Sequence, residues 1–298
     1  MKSILVFGEA LWDELPDRRV LGGAPLNYAL RAAAFGADAR LVTRLGCDAA
    51  GDEAFAQIAE LGLDTSLIQR DREHPTGRVT VTLEDGVPAY TIHEGVAWDF
   101  IQPEPDLIRA AESAACVSFG SVAVRSERSW TALTAILEHA ASAVRMCDLN
   151  LRSRCWTPER VAELLQMTHI LKLSAEELPH AAAAMDVPVS AMEETAEALL
   201  RRLGLRTLAV TLGAEGCFGL DCEGTAVRLP GRRVTVADTV GAGDAFAAVF
   251  TVALLEGRPL AEACALANAA GSLAAEQHGA TGPISAAQIE AAARAAGD

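Results

Sequence analysis

Near the end of the chain, Thr239-Val240-Gly241-Ala242-Gly243-Asp244-Ala245-Phe246 sets two glycines, with one alanine between them, beside a carboxylate. Such a pair lets the backbone turn sharply and approach a ligand closely. An apolar, β-branched run with Val234 and Val236 leads in, and an Ala-rich helical run from Phe246 through Leu255 leads out. Where a turn of this kind opens a helix, free N–H groups and the positive dipole end make an anion site. Asp244 then sits in the first helical turn, beside the anion. A carboxylate repels a phosphate, so binding does not call for it. It suits a base that accepts a proton from an attacking hydroxyl while the amides hold phosphoryl charge. The octapeptide alone reads equally well as a glycine turn whose aspartate favours a helix start. Short glycine motifs recur by chance.

Further polar residues need to be brought to the same place. Gly22-Gly23-Ala24-Pro25 opens a helix running to about Phe35, with Pro25 suited to its start and Gly36 to its stop. Asn27, in the first turn or so, can bond ligand hydroxyls or serve as an ordinary capping amide. Asp148-Leu149-Asn150-Leu151-Arg152 leaves the end of a strand, and three polar groups at alternate positions project on one side of an extended chain. Arg152 there offers phosphate a positive charge; the other reading is a solvated loop. Ser174-Ala175-Glu176-Glu177 is a complete capping box, and Ser190-Ala191-Met192-Glu193 repeats it. Leu212-Gly213 with Gly216 resembles a nucleotide-side loop, a weak signal alone.

The elements that must position these groups alternate along the chain. Strand-like apolar runs (1–8, 40–45, 115–120, 143–148, 170–173 and 206–212) are separated by helical patterns. That predicts a largely parallel sheet with helices on both faces. Gly46, Asp48, Gly51 and Asp52 form a turn before a helix to about Leu61. Helices are expected near 243–256 and 259–276, and a terminal one from Ser285, after the loop Gly279-Ala280-Thr281-Gly282-Pro283. One stretch breaks the pattern. Arg78–Leu83 and Ala89–Ile92 are β-rich, with Glu84-Asp85-Gly86 as a hairpin turn. With residues 10–21, the 76–98 segment reads as a small sheet over the carboxyl edge of the main one, placed to act as a lid. Ala97-Trp98-Asp99 returns to the core. The whole chain, 1–298, is expected to be one domain with these lid strands inserted.

Composition narrows the class. The formal charge of −15 argues against a general nucleic-acid binder. No apolar run approaches the ~20 residues of a membrane span, and the start turns acidic at Glu9 too soon for a signal peptide. Seven cysteines, none in Cys-x-x-Cys, read as reduced, mostly buried thiols of a cytoplasmic protein. There is no Gly-Lys pair, so no P-loop, and no Gly-x-Ser-x-Gly. The histidines lack zinc spacing. Apart from Lys2 and Lys172, all positive side chains are arginines, and the backbone amides beside Asp244 are expected to carry much of any phosphate stabilisation.

Taken together, the motifs resemble the ribokinase-like (PfkB) carbohydrate kinases over nearly the whole chain. The C-terminal signature matches Asp238-Thr239-Val240-Gly241-Ala242-Gly243-Asp244 without departure. The N-terminal one resembles Gly22-Gly23-Ala24-Pro25-Leu26-Asn27, continuing to Gly36 and through Gly46–Gly51. Asp148, Asn150 and Arg152 match the central Asp-x-Asn-x-Arg, followed by Trp156. The resemblance implies a three-layer α/β/α sandwich with a mostly parallel central sheet and a small β lid. It implies transfer of the ATP γ-phosphoryl group to a sugar hydroxyl. By position, Asp244 is the general base and the amides of Gly241, Ala242, Gly243 and Asp244 form the anion hole, with Arg152 adding charge. Asp13, Gly23 and Asn27 contact the sugar. Thr211, Gly213 and Gly216 lie along ATP, and Asn268 near its adenine. Glu177 is a magnesium-side residue, although Ser174 replaces the family's asparagine. Asp238 and the loop at Gly279 resemble a monovalent-cation site. ATP, Mg2+ and, as a candidate activator, K+ are the implied cofactors. A helix N-terminus is expected to lower the pKa of Asp244.

Among sugars, Gly8-Glu9-Ala10-Leu11 with Asp13 and Gly-Gly-Ala-Pro-x-Asn looks most like fructokinases. A 2-keto-3-deoxygluconate kinase is the runner-up, ahead of other sugar kinases of the family. A non-catalytic sugar or nucleotide sensor is opposed by the intact Asp244. Small-molecule sugar and ATP are the expected partners, with no nucleic acid and no membrane. Lid strands in this family often pair between subunits, which makes a homodimer through the lid an expectation.

Overall fold

Alternating side chains on the first strand set up both faces of the main sheet. In β1 (Ser3–Phe7), Ile4 and Val6 enter one buried core, while Leu5 and Phe7 enter the other. Period-2 alternation in a strand apolar on both faces requires a layer of helices on each side. The computed structural model describes residues 1–15, 17–84 and 87–295, with 81–84 and 87–90 described by backbone alone.

The chain then runs through β2 (Leu11–Glu14), β3 (Arg19–Gly22), α1 (Ala24–Ala34), β4 (Asp38–Gly46), α2 (Ala49–Glu60) and β5 (Ile68–Asp71). Next come β6 (Gly77–Glu84), β7 (Val87–Ile92), α3 (Pro105–Glu112), β8 (Cys116–Phe119), α4 (Glu127–His139) and β9 (Val144–Asp148). The remainder is α5 (Pro158–Gln166), β10 (Ile170–Ser174), α6 (Leu178–Ala184), α7 (Met192–Leu203), β11 (Thr207–Thr211), β12 (Cys217–Asp221) and β13 (Ala226–Leu229). Three helices close it: α8 (Ala242–Leu255), α9 (Leu260–Ala275) and α10 (Ala286–Arg294).

Nine strands form the main sheet in the order β13-β12-β11-β10-β9-β8-β1-β4-β5. Neighbours from β11 to β5 are parallel, and β12 and β13 add antiparallel at one edge. Helices α1, α2, α8, α9 and α10 cover one face and α3 to α7 the other. This is the expected three-layer sandwich. Phe7 on one side and Phe250 on the other are fully buried, each contributing roughly 1.5–3 kcal/mol of transfer free energy. The order reverses beside β1, which leads to β4 on one flank while β8 lies on the other. The crevice outside the carboxyl ends at such a switch is where ligands bind in open α/β sheets.

The out-of-pattern stretch forms a second sheet, β3-β2-β6-β7. β2 joins β3 antiparallel and β6 parallel, and β6 pairs antiparallel with β7, Glu84 opposite Val87. The expected turn residues Asp85 and Gly86 lie outside the described residues. Ala97–Phe100 forms a short 3-10 turn whose Trp98 is fully buried, so the return to the core is as expected.

Several local expectations change. Gly51 and Asp52 lie inside α2, because Asp48 caps that helix and its side chain accepts from Gly51 N at 2.7 Å. Asn150 has φ 45°, so the chain bends out of β9 and Asp148, Asn150 and Arg152 do not share one side of an extended strand; asparagine tolerates that left-handed conformation better than most residues. Ser190 caps nothing: α7 starts from Ala191 without a side-chain cap, and the Ser190 amide donates to Thr195 Oγ1 instead. Val234 and Val236 belong to no strand, and Val236 is exposed.

Candidate active site

The start of α8 leaves the Gly243 and Asp244 amides free, whereas the Ala242 amide, expected in the anion hole, donates to the Thr239 carbonyl at 3.3 Å. Gly241, the N-cap residue, has φ 78° and no side chain to cap with. A Cβ there would run into Ala280, so both conformation and space demand glycine. The amides of Gly243 and Asp244, in the first turn, have no intrahelical acceptor. A Cβ on Gly243 would sit 3.1 Å from Lys172 Nζ.

Asn27, on α1, reaches the same point. Its Nδ2 donates to Asp244 Oδ2 at 2.8 Å. The residue is 5% exposed, and its Oδ1 has no partner within the protein. A buried carbonyl oxygen without a donor is costly, and a ligand hydroxyl would satisfy it. Packing of α1 against α8 in one core creates this contact.

Asp244 keeps some solvent contact at the mouth of the site, yet desolvation raises its pKa; the Asn27 bond, Lys172 and Arg152 pull it down without overcoming burial. The helix dipole was expected to lower it, and burial wins instead. Asp13, on β2, is pushed up to about 6 by burial, with Arg152 opposing. Asp148, at the end of β9, is raised to about 6 by burial against the pull of Lys172, which donates to it at 2.9 Å. Lys172 would be driven down by burial, but Asp148, Glu177 and Asp244 hold it above its ordinary range. At neutral pH that pair is ionised.

Two residues here were absent from the sequence-derived site. Glu9, just after β1, is 5% exposed and raised to about 7 by burial; its own amide lowers it, Asp244 raises it, and the Ala24 amide and Arg152 lower it. Together with Pro25, Tyr28, Ser118, Asp148 and Asn150 it lines a cavity of about 30 Å³ below the crevice, large enough for a water. Lys172 is the other. Its signal was a charged residue inside the otherwise apolar β10; that of Glu9 was an acid directly after a buried strand. The amides beside Asp244 therefore do not stand alone as carriers of positive charge.

The other predicted residues fall into separate groups. Gly23 is the N-cap of α1, packed on the Glu9 carbonyl, a Cβ there coming within 2.5 Å of it. Thr211 ends β11, and Gly213 begins the short turn that closes at Gly216. Gly216 packs on the Leu229–Gly231 backbone, and Asn268 of α9 donates to the neighbouring Pro230 carbonyl at 2.9 Å. That gathers Gly216 and Asn268 around one loop. Asp238 accepts from Val240 N at 3.0 Å and Gly279 N at 3.2 Å, so those two loops do meet. Glu177 accepts from Ser174 N at 2.7 Å and Leu151 N at 2.6 Å, and Ser174 Oγ accepts from Glu177 N at 3.3 Å. The reciprocal box is real, one turn ahead of α6, and both Glu177 oxygens hold backbone amides. Arg152 is exposed, and Asp244, Asp13 and Glu9 all lie in its field.

The sequence model for the pfkB family carbohydrate kinases matches residues 16–287. The chain belongs to that family. This pfkB kinase is 31% identical to an aminoimidazole riboside kinase of Salmonella typhimurium over 305 residues, 94% of this chain and 91% of that protein. It is 31% identical to a fructokinase of Escherichia coli over 272 residues, 83% of this chain and 82% of that protein. Its fold matches a fructokinase of Xylella fastidiosa with bound ATP, with a TM-score of 0.86, 23% identity and 99% of both chains covered; at that identity the likeness is one of fold. The pfkB kinase is an ATP-dependent sugar kinase. Among the described residues, no helix is long and apolar enough to cross a membrane.

Proposed function

We propose that this sugar kinase phosphorylates a neutral ketose, fructose first among candidates, with Asp244 as general base. The observation that carries the reading is the 2.8 Å Asn27–Asp244 bond at an uncapped helix start. It sets a carboxylate and an unpartnered amide carbonyl side by side, next to free amides.

The chemistry follows from that arrangement. Asn27 Oδ1 and Asp13 bind sugar hydroxyls, with the Gly23 turn beside them. The attacking hydroxyl oxygen bonds to the γ-phosphorus of ATP as its proton passes to Asp244. The bond from that phosphorus to the β,γ-bridging oxygen breaks, and ADP leaves. Charge spreads over the transferred group, so catalysis is positioning and electrostatics. Amides of Gly241, Gly243 and Asp244 meet that charge, with Arg152 adding to the field. Thr211, Gly213, Gly216 and Asn268 flank the nucleotide. Magnesium, held chiefly by the nucleotide phosphates with the fixed charge of Glu177 nearby, would neutralise phosphate charge. The loops joined by the Asp238–Gly279 bond would take a potassium ion. The small sheet would close over the sugar and exclude water.

Charge supports a neutral acceptor. Arg152 is offset by Asp13 and Asp244, and in part by Glu9, which reduces the positive field open to a substrate carboxylate. ADP release measured across fructose, other hexoses, ribosides and 2-keto-3-deoxygluconate, with magnesium and potassium, tests this. The expected result is the highest kcat/KM on fructose. A higher value on 2-keto-3-deoxygluconate would overturn the neutral-sugar reading.

A further inference from the structure

The sequence of β10, Ile170-Leu171-Lys172-Leu173-Ser174, places a lysine in an apolar strand, where it is 7% exposed. A buried ammonium without partners costs several kcal/mol, so it is retained beside opposite charge. Asp148 supplies that charge at 2.9 Å, and the two residues are register partners across β9 and β10. Leu171 and Leu173 enter the core beneath α3 to α7, while Ile170 faces the other core. Strand alternation therefore sends Lys172 to the α8 face, where Nζ lies against Gly243, 3.1 Å from the place of a Cβ. Charged groups reach it from three sides, Asp148 from β9, Glu177 from the turn after β10, and Asp244 from α8, while β11 sets Ala209 opposite it. The Cys147 thiol also lies in its field. Asp244 in turn faces Asn27, Arg152, Glu9 and Asp148.

We propose that Lys172 is a positioning residue of phosphoryl transfer, a fixed internal cation that balances Asp148 and Asp244 under the start of α8 and seats the Gly243 peptide. The inference rests on the reading of Asp244 as base. A helix start offers about half an elementary charge, so a full charge packed directly beneath it is the larger local source. Asp148 cancels much of that charge at a distance; the effect is greatest on the residue Lys172 touches, Gly243. A small side chain at 243 would press on the ammonium, which gives glycine there a second purpose besides approach to the anion.

The test combines kinetics with a direct probe. Lys172→Met should lower kcat about 10- to 100-fold with little change in the KM for sugar, and move the acid limb of the pH profile upward, since Asp244 loses a cation that favours its charged form. Lys172→Met with Asp148→Asn removes both charges, which should recover thermal stability but not kcat; the limb should move less than in the single variant, because losing Asp148 lowers the Asp244 pKa while losing Lys172 raises it. A folded double variant with wild-type kcat would overturn the proposal. The chain has two lysines, Lys2 and Lys172, so 15Nζ-lysine labelling yields two signals, and Lys2→Arg assigns them. The Lys172 signal should shift when ADP, magnesium and aluminium fluoride are added; an unmoved signal in a formed complex would overturn the proposal without any variant of the site. Asp244→Asn is assayed in parallel. If it is inactive while the double variant is normal, Lys172 alone is misassigned; if it is active, the base assignment fails and this role with it.

Discussion

Asn27 and Asp244 are 217 residues apart in the chain, and the Nδ2 of one donates to the Oδ2 of the other at 2.8 Å. The bond fixes the carboxylate against the first helix while its backbone belongs to the eighth. One Asp244 oxygen is thereby engaged and the other left for a substrate proton. Four outcomes are expected from this geometry.

Asp244→Asn keeps the shape and removes the basicity. Turnover should fall by about 10²- to 10⁴-fold, with the KM values for ATP and sugar within a few-fold of wild type. Steady-state kinetics and calorimetric binding of both substrates check it. Retained turnover would remove Asp244 from the mechanism.

Asn27→Leu removes the donor to Asp244 and the free carbonyl together. Because the Asn27 bond lowers the pKa of Asp244, its loss raises that pKa further, and the acid limb of kcat should move to higher pH. The KM for sugar should rise as well, by about tenfold for one lost hydrogen bond. An unshifted limb would show that the bond does not tune the base.

Glu9→Gln separates stability from pH. Burial lifts Glu9 from 4.5 to about 7, so between those values the folded protein binds more protons than the unfolded chain. Stability contributed by this group is therefore present below pH 4.5 and lost as pH rises through 7, a change on the order of 3 kcal/mol. Glutamine removes that loss. The melting temperature of the variant relative to wild type should rise between pH 5 and pH 8. Loss of a negative neighbour should also move the Asp244 limb to lower pH.

Gly241→Ala tests the turn itself. A side chain at φ 78° facing Ala280 should cost on the order of 1–3 kcal/mol and displace the first turn of α8. Denaturant unfolding should show the loss of stability. The kcat should fall by more than the KM for sugar changes, because the sugar is held from α1. A fully active variant would show that the amides tolerate displacement.

Layer architecture was legible because it depends on local periodicity. Ile4 and Val6 against Leu5 and Phe7 announce a strand with two covered faces before any contact is known. Pro25 and Gly36 likewise mark the ends of α1 through backbone preferences that belong to single residues. The misread details were competitions between local options. Ser190 could cap α7, but bonds to Thr195 are made instead. Asn150 could continue an extended chain, but its side chain tolerates the bend that ends β9.

The sequence by itself determined the strand and helix alternation, the glycine turn before Asp244 and the kinship with carbohydrate kinases, since these rest on residue type and spacing along the chain. Only the tertiary structure decided that Lys172 and Glu9 belong at the crevice and that Asp244 is raised and not lowered. Each of those depends on burial and on charges brought from distant strands. A lysine in an apolar run and an acid after a strand do not reveal what will face them. Desolvation and pairing are properties of the packed site, and strand order, which brings β9 and β10 together under α8, is what created them.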